Sequence, residues 1–360
     1  MFTSKYPFTN GLIKSVDIGN ESINGFYSSD ITLAEILQSS NYTTAAFVGN
    51  FPASSLFGLS KGFQNFDDDF ITKIPPRKTS DELTSEAIDW LTNHVQKEEQ
   101  QPFFLWIHYF EPHCPYIYKK TYQELNNTQI YITNSTETPE YLRCGDYVNL
   151  TGFQVANELV RYDMSIRYAD ENLGKLLDTI DQYKLDKNTV IIITSDHAES
   201  LGEHQIIDHN YLYLGVLKVP LIMKIPNFYG HFVNSPISAI DILPTALKIF
   251  DIKTNITERG IDIFSSQRNL QFSEESNAST IISGDMKLIK RNFQYSMFNI
   301  SNDPNETNDI SSSNADEFTQ LKMILENITS NSLQANSDQK NITTPNIDIL
   351  QKLKSLGYVQ

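Results

Sequence analysis

The chain has 360 residues, of which 40% are hydrophobic and 11% aromatic, enough apolar material for one large core with a smaller appended lobe. Its formal net charge of -16 argues against nucleic-acid binding, because contacts to phosphate need clustered Lys and Arg side chains. No apolar run reaches the roughly 18 residues that a membrane-spanning helix needs, so the sequence predicts no membrane segment.

Short apolar runs alternate with longer stretches of helical spacing up to about residue 250, which indicates an α/β fold. The second predicted helix has Ser80 or Asp81 as its N-cap. The runs PFFLWIHYF and TVIIIT are apolar enough to be buried on both faces, as strands of a parallel sheet are. In chain order, the predicted elements are helix 32–40, strand 44–50, helix 80–96, strand 102–110, helix 157–183, strands 189–194 and 219–225, and helix 241–250.

A polar segment at about 117–150 interrupts this alternation. An insertion on the substrate side and a long disordered loop are both open interpretations, and its Tyr, Asn and Thr content would suit a carbohydrate. After about residue 270, the runs MKLIKR and YSMFNI suggest a small antiparallel sheet, and residues 347–357 a terminal helix. We therefore expect a mostly parallel sheet flanked by helices in residues 1–265 and a smaller α+β subdomain in residues 266–360.

Acidic and histidine side chains follow the predicted strand 189–194 at once, beginning with Asp196 and His197. In open α/β sheets, ligands bind beyond the carboxyl ends of the strands, and these donors suit a divalent cation. The alternative is an Asp N-cap that opens a solvated helix. A second polar group, with His108, Glu111 and His113, follows strand 102–110. Two strands that both end in histidine-bearing loops suggest one shared site.

Several motifs in order resemble the sulfatase family of the alkaline phosphatase superfamily, and the resemblance covers nearly the whole chain. TSDHAESLGEH followed by YLYLGVLKVPLIMKIP resembles the second half of the family. PFFLWIHYFEPHCPY resembles its strand and Pro-His-x-Pro loop, and YDMSIRYADENLGKLLDTI its long helix. MFNISNDPNETNDI resembles its Asp-Pro-x-Glu turn. The resemblance implies an alkaline-phosphatase-like fold and the hydrolysis of a small-molecule or carbohydrate sulfate ester.

By this resemblance, Asp196 and His197 would be ligands of a divalent metal, usually calcium. His113 would touch the sulfate group or protonate the leaving oxygen. His209 stands where the family places a side chain that binds a sulfate oxygen, and Lys218 matches the basic residue before Val-Pro. This chemistry is consistent, because ester hydrolysis needs cations near the nonbridging oxygens and an acid at the leaving group.

Other polar residues near these motifs receive a structural interpretation. His108 and His204 are expected to order their loops. Cys114 and Cys144, the only two cysteines, are too few for a disulfide framework or a Cys-based zinc site, and both are expected to be bystanders.

The first segment of the resembling family has no counterpart in this sequence. That segment carries paired Asp metal ligands and a Cys or Ser that becomes the formylglycine nucleophile. The expectation is therefore an N-terminally incomplete chain, with a degenerate paralogue as the alternative. Without the paired Asp, calcium would lack ligands, and without the nucleophile the covalent route would close.

Three functions remain open. The leading hypothesis is a metal-dependent, sulfatase-like hydrolase of sulfate esters. The second is a phosphodiesterase or phosphoethanolamine-transferase-like relative, in which zinc and a Thr or Ser nucleophile would replace calcium and formylglycine. The third is a noncatalytic protein of the same fold that binds anionic ligands through His113, His209 and Lys218.

Overall fold

The computed structural model describes residues 1–7, 30–72, 77–97, 101–114, 116, 152–256, 259–275 and 277–336. Two predicted features, the insertion at 117–150 and the terminal helix at 347–357, lie outside the described residues and stay predictions. In the described part, no helix combines the length and the apolar character that crossing a membrane requires.

Helices and strands alternate along the first region of the chain, as the sequence predicts. The helices are α1 (Leu33–Ser39), α2 (Ser80–Val95), α3 (Gly152–Gln182), α4 (Leu214–Leu217), α5 (Ile242–Ile249) and α6 (Ala315–Asn336). The strands are β1 (Thr43–Val48), β2 (Asn65–Asp67), β3 (Phe103–His108), β4 (Ile191–Thr194), β5 (Ser200–Leu201), β6 (Ile207–Asp208), β7 (Leu221–Lys224), β8 (Leu270–Glu275), β9 (Ala278–Ser283), β10 (Met286–Arg291) and β11 (Gln294–Asn299).

A parallel sheet with the strand order β2-β1-β3 forms the centre of the first region. Side chains of alternate strand residues point to opposite faces. Phe103 and Leu105 of β3 pack with α2 and α3, whereas Phe104, between them, packs with α1 and α5. Helices therefore cover both faces of this sheet, which confirms the α/β prediction.

Strands β3 and β4 are less buried than the sequence predicts. All residues of both strands are partly exposed. Strand β3 lies at an edge of its sheet, and β4 pairs only with β7, antiparallel, in the described part. The expected burial on both faces is therefore wrong for these two strands. Ile191 of β4 nevertheless packs against Leu173 and Leu177 of α3, so β4 is held by side chains.

The start of α2 is fixed by a cap one residue earlier than predicted. Thr79 is the N-cap, and its backbone N–H donates to the Glu82 carboxylate at 2.8 Å. The assignment to Ser80 or Asp81 is therefore wrong, because the reciprocal Thr79–Glu82 pair satisfies the backbone donors at this end.

A buried ion-pair network joins α2 to the segment around β2. The Lys78 side chain has 0% exposure, and its Nζ lies 2.6 Å from Asp67, 2.8 Å from Glu86 and 2.9 Å from Asp69. Burial alone would lower the pKa of Lys78, but hydrogen bonds to these carboxylates raise that pKa above its ordinary value. Lys78 therefore stays charged and holds the loop before α2 in place.

The C-terminal part is an antiparallel sheet with the order β11-β10-β9-β8, covered by α6. This confirms the predicted α+β subdomain, while its boundary at residues 265 and 266 stays a prediction. Helix α6 was not expected, because its apolar residues are diluted by Asn, Ser and Thr. The shared core consists of Phe272, Ile281, Met286, Leu288, Met297, Leu321 and Leu325.

Replacing Ile281 tests this core. Ile281→Ala removes a side chain with 0% exposure and should lower the free energy of unfolding by about 2–5 kcal/mol, measured by urea denaturation. The matched change Ile222→Ala, at a strand position with 58% exposure, should cost less than about 1 kcal/mol. Equal losses in the two variants would show that α6 and the sheet do not share a packed core.

Candidate functional site

A short hairpin carries two of the predicted site residues. Strands β5 and β6 pair antiparallel, with Ser200 opposite Asp208. The residues one step outside this pair, Glu199 and His209, therefore also face each other, and Glu199 Oε1 lies 3.5 Å from His209 Nδ1. His197 lies three residues before Ser200, the first residue of β5, and therefore at the open end of the hairpin, close to His209.

The turn of this hairpin is tight. Gly202 has a φ of +116°, which strains any residue with a Cβ, and its N–H donates to Ile206 O at 2.9 Å. The ring of His204 stacks on the ring of Tyr213 at 3.7 Å between centroids. His204 therefore contacts the segment before α4 and does not belong to the cluster of three histidines described below.

The loop after β3 supplies the third histidine of the site. The His113 N–H donates to Phe110 O at 2.9 Å, and the two rings stack at 4.7 Å between centroids. The buried Glu111 carboxylate accepts a hydrogen bond from the Ser80 hydroxyl at 2.6 Å, which anchors the loop to α2. A Cβ on Gly49 would lie 2.9 Å from the His108 carbonyl oxygen, so only glycine allows β1 to end this close to the loop.

Three imidazoles from these two segments form one cluster. His113, His197 and His209 each offer a ring nitrogen, and these atoms all lie within 4.8 Å of one another. The ring centroids of His197 and His209 are 4.4 Å apart, those of His113 and His209 are 4.8 Å apart, and those of His113 and His197 are 5.8 Å apart. The structure therefore brings together three of the five residues that the sequence nominates.

The Nδ1 atom of each imidazole in the cluster faces an oxygen acceptor. His113 Nδ1 contacts Cys114 O, and His197 Nδ1 lies 3.0 Å from Ala198 O. His209 Nδ1 faces the Glu199 carboxylate. A carbonyl oxygen can only accept, so Nδ1 of His113 and of His197 carries the hydrogen in these contacts. The separation of 3.5 Å between His209 Nδ1 and Glu199 Oε1 is too long to fix the proton position of His209.

Glu199 is a buried carboxylate beside this cluster, with 7% exposure. In the part of the chain that the structure describes, neither of its oxygens accepts a well-formed hydrogen bond, and no Lys or Arg pairs with it. Burial and the charge of Glu199 both raise the pKa of the neighbouring Tyr116 hydroxyl. The sequence analysis did not single out Glu199 among the acidic residues that follow the predicted strand 189–194.

Asp196 lies at the edge of the cluster. Its Oδ1 accepts the His197 backbone N–H at 3.0 Å, and its Oδ2 lies 3.7 Å from His197 Nε2. Surrounding atoms oppose its ionisation, but His197, His108 and backbone N–H groups outweigh that effect and lower the pKa of Asp196. Its side chain keeps 68% of its surface exposed despite these neighbours, so it lies at the mouth of the site.

His108 and Lys218, two more residues that the sequence analysis named, lie at the end of β3 and at the end of α4. His108 ends β3, and burial lowers its pKa, against the attraction of Asp196. Burial likewise lowers the pKa of His113, which favours the neutral ring. Lys218 is exposed at the end of α4, and no described carboxylate pairs with it. Its predicted contact with substrate is not tested by the structure and stays a prediction.

Cys114 has a structural role that the sequence analysis did not predict. Cys114 is disulfide-bonded, and its carbonyl oxygen faces His113 Nδ1. The other cysteine of the chain, Cys144, lies outside the described residues.

The C-terminal sheet supports the segment that follows His209. Arg291 of β10 donates to Asn210 O at 2.8 Å, and its guanidinium lies 4.7 Å from the centre of the Tyr211 ring. Glu306 accepts the Leu214 N–H, the first of α4, at 2.6 Å. Sequence reasoning assigned no role to Arg291 or Glu306, although the Asp-Pro-x-Glu motif that contains Glu306 was a usable signal.

Comparison with known proteins identifies the relatives of this chain. The family model described as Sulfatase matches residues 1–252. Among curated proteins, the chain is 26% identical to a choline-sulfatase of Rhizobium meliloti over 45% of this chain and 34% of the relative. It is 29% identical to the iduronate 2-sulfatase of Homo sapiens over 49% of this chain and 35% of the relative. The chain thus spans about a third of the length of these relatives.

Solved structures share the fold at low sequence identity. One is a complex with the substrate D-glucosamine-2-N,6-O-disulfate, with a TM-score of 0.71, 18% identity, and coverage of 94% of this chain and 88% of the other. Another is the phosphonate monoester hydrolase of Agrobacterium radiobacter, with a TM-score of 0.67, 16% identity, and coverage of 93% and 88%. These similarities confirm the expected alkaline-phosphatase-like architecture.

Replacing Glu306 tests the buried ion pair that it forms with Lys287 beside the segment that follows His209. Lys287 and Glu306 form an ion pair of 2.5 Å with side-chain exposures of 0% and 2%. Glu306→Gln leaves the Lys287 charge buried without its partner and should lower the free energy of unfolding by about 3–5 kcal/mol near pH 7. Burial lowers the pKa of Lys287 to about 8, against the attraction of Glu306, so the loss should shrink above that pH as Lys287 releases its proton.

The matched control is Glu326→Gln, because Glu326 is exposed and accepts a hydrogen bond from Tyr295 at 2.7 Å. This change should cost less than about 1 kcal/mol in the same denaturation experiment. A loss for Glu306→Gln that is no larger than the control would contradict the role of the buried pair.

Proposed function

Because the chain belongs to the sulfatase family, we propose that it hydrolyses sulfate esters at the cluster formed by His113, His197 and His209. The observation that carries this proposal is the convergence of three imidazoles from two separate segments, both inside the region that the family model matches. Such a cluster has little value for stability, since its rings are only partly buried and its neighbouring carboxylate is poorly satisfied.

The proposed roles follow the positions of the side chains. His113 would contact the sulfate group or give a proton to the leaving oxygen, and His209 would bind a nonbridging oxygen. The centroids of these two rings are 4.8 Å apart, so one sulfate group can contact both. Lys218, exposed and without a carboxylate partner in the described part, would supply further positive charge to the anion.

Calcium, which the family resemblance implies, would be held by Asp196 and His197. The described residues fit this ion poorly. Calcium takes 6–8 oxygen ligands, whereas this site offers one exposed carboxylate beside three ring nitrogens. The roles proposed for His113, His209 and Lys218 therefore involve no metal ion.

The relatives suggest the substrate class. They include a choline-sulfatase, an ulvan-active sulfatase of Formosa agariphila and an iduronate 2-sulfatase. We propose a small-molecule or carbohydrate sulfate ester as the substrate of this chain. The phosphonate monoester hydrolase among the structural neighbours makes a phosphoryl ester the alternative, which the same assay can distinguish.

An assay with chromogenic esters tests the reaction class. The full-length protein should release p-nitrophenol from p-nitrophenyl sulfate, and release from p-nitrophenyl phosphate or phenylphosphonate should be at least about tenfold slower in kcat/KM. Faster turnover of a phosphoryl ester would favour the alternative. Binding of sulfated sugars without turnover of any ester would instead support a noncatalytic protein.

Replacing histidines of the cluster tests the site. His113→Ala should lower kcat/KM by about 100-fold or more, because it removes a proton donor or an anion contact at the leaving oxygen. The control is His231→Ala, at an exposed position where the ring contacts Phe228. Equal activities of the two variants, with folding verified by circular dichroism, would exclude His113 from the reaction.

A further inference from the structure

Arg77 lies at the edge of the central sheet where the candidate site lies. Strands β1 and β3 are parallel, and their last residues pair with each other. Just beyond the end of β1, Asn50 forms an antiparallel bridge with Arg77. The next residue, Lys78, donates its backbone N–H to Gly49 O at 2.9 Å. Ligands of α/β sheets bind at this carboxyl edge, so Arg77 is placed on the ligand side of the sheet.

The backbone beside Arg77 is firmly held. The side chain of Lys78 is fully buried and forms ion pairs with three carboxylates. Thr79, one residue further, caps α2. The Arg77 side chain therefore projects from an anchored backbone, and a ligand that binds it needs little further ordering of the chain.

The ring of Phe110 contacts both Arg77 and the histidine cluster. The guanidinium carbon of Arg77 lies over this ring, 5.4 Å from its centroid. The ring of His113 stacks on the same ring at 4.7 Å between centroids. The guanidinium therefore lies no farther than about 10 Å from the centre of the His113 ring, which the proposed function places against the ester sulfate.

The positive charge of Arg77 has no direct partner in the described part of the chain. The residue is partly buried, and no described carboxylate lies within ion-pair distance of its guanidinium. Burial raises the pKa of the nearby Glu111 carboxyl, and the charge of Arg77 acts against that shift. Glu111 already accepts the Ser80 hydroxyl at 2.6 Å, so its carboxylate is engaged elsewhere.

Packing against Phe110 is the structural explanation for Arg77, and it is incomplete. A cation over an aromatic ring gains about 0.5–2 kcal/mol. This contact supplies no oxygen acceptor, whereas a guanidinium carries five N–H donors. Donors that are partly removed from water are costly to leave unpaired, and an anion that accepts from them removes this cost.

From this placement we propose that Arg77 binds a second anionic group of the substrate, a sulfate or a carboxylate carried beside the ester sulfate. The inference rests on the proposed function, which places the ester sulfate at His113 and His209. A guanidinium binds such groups through two parallel N–H donors. The span of at most about 10 Å between Arg77 and His113 can be bridged by one or two sugar rings.

The net charge of the chain makes this contact selective. At a formal charge of -16 the chain repels anions on average, so a substrate with two negative groups needs a cation at each of them. Arg77 is proposed to contact the second group and not the ester sulfate. It is therefore a specificity-determining residue, and its effect should appear in KM rather than in kcat.

Three fluorogenic sulfate esters with a shared coumarin leaving group test this contact on the full-length protein. They carry a methyl, an acetate or a methanesulfonate group at position 4, so only the last two have a second anion. The kcat/KM should be at least about tenfold higher for the dianionic esters, through a lower KM. A preference for the acetate alone would assign a carboxylate to Arg77, and one for the sulfonate alone would assign a sulfate.

Arg77→Ala should reduce this preference to about one, because it removes the guanidinium. Arg77→Lys should retain part of the preference, because it keeps the charge but not the paired donors. The control Arg259→Ala removes an exposed guanidinium from a residue whose backbone N–H is bonded to Ser4 O at 3.0 Å, and it should keep the full preference.

Binding separates this inference from the proposed function. If the unchanged protein hydrolyses none of the three esters, sulfate-ester hydrolysis fails, and isothermal titration of the same compounds still measures the preference. The inference is overturned if the unchanged protein shows no preference for the dianionic compounds in turnover or in binding. It is also overturned if the preference survives Arg77→Ala, as a merely structural role of Arg77 would predict.

Discussion

Antiparallel pairing across the β5–β6 hairpin is the constraint on which the site depends. Because Ser200 pairs with Asp208, Glu199 must face His209, and the turn at Gly202 closes the hairpin too tightly for another register. His197, a few residues before β5, is thereby carried next to His209. One short local structure therefore assembles a carboxylate and two imidazoles, and only His113 arrives from a distant part of the chain.

The supports of this hairpin lie far away in the sequence. Arg291 and Glu306 of the C-terminal subdomain contact the segment between His209 and α4, and the Ala198 N–H donates to Val216 O at 2.8 Å. The C-terminal subdomain thus positions the segment that follows His209, in addition to burying its own core. The antiparallel sheet therefore contacts the α/β part at the segment that follows His209.

Sequence reasoning succeeded where the signal is local. Apolar periodicity located α1, α2, α3 and α5, and the position of polar residues after strands located His113, His197 and His209. It failed where the result depends on distant partners. The run TVIIIT looks like a buried parallel strand, but β4 pairs with β7 alone in the described residues, which no local pattern encodes. The Lys287–Glu306 pair and the disulfide of Cys114 were likewise invisible.

The central claim is that His113 and His209, brought together from two separate segments, bind one sulfate group. Nitrogen-15 NMR of histidine-labelled protein titrated with inorganic sulfate measures this directly, since the seven histidines can be assigned by single replacements. The account predicts that sulfate shifts the ring signals of His113 and His209 and leaves those of the exposed His231 unchanged. Unchanged signals of His113 and His209, or an equal shift at His231, would contradict it.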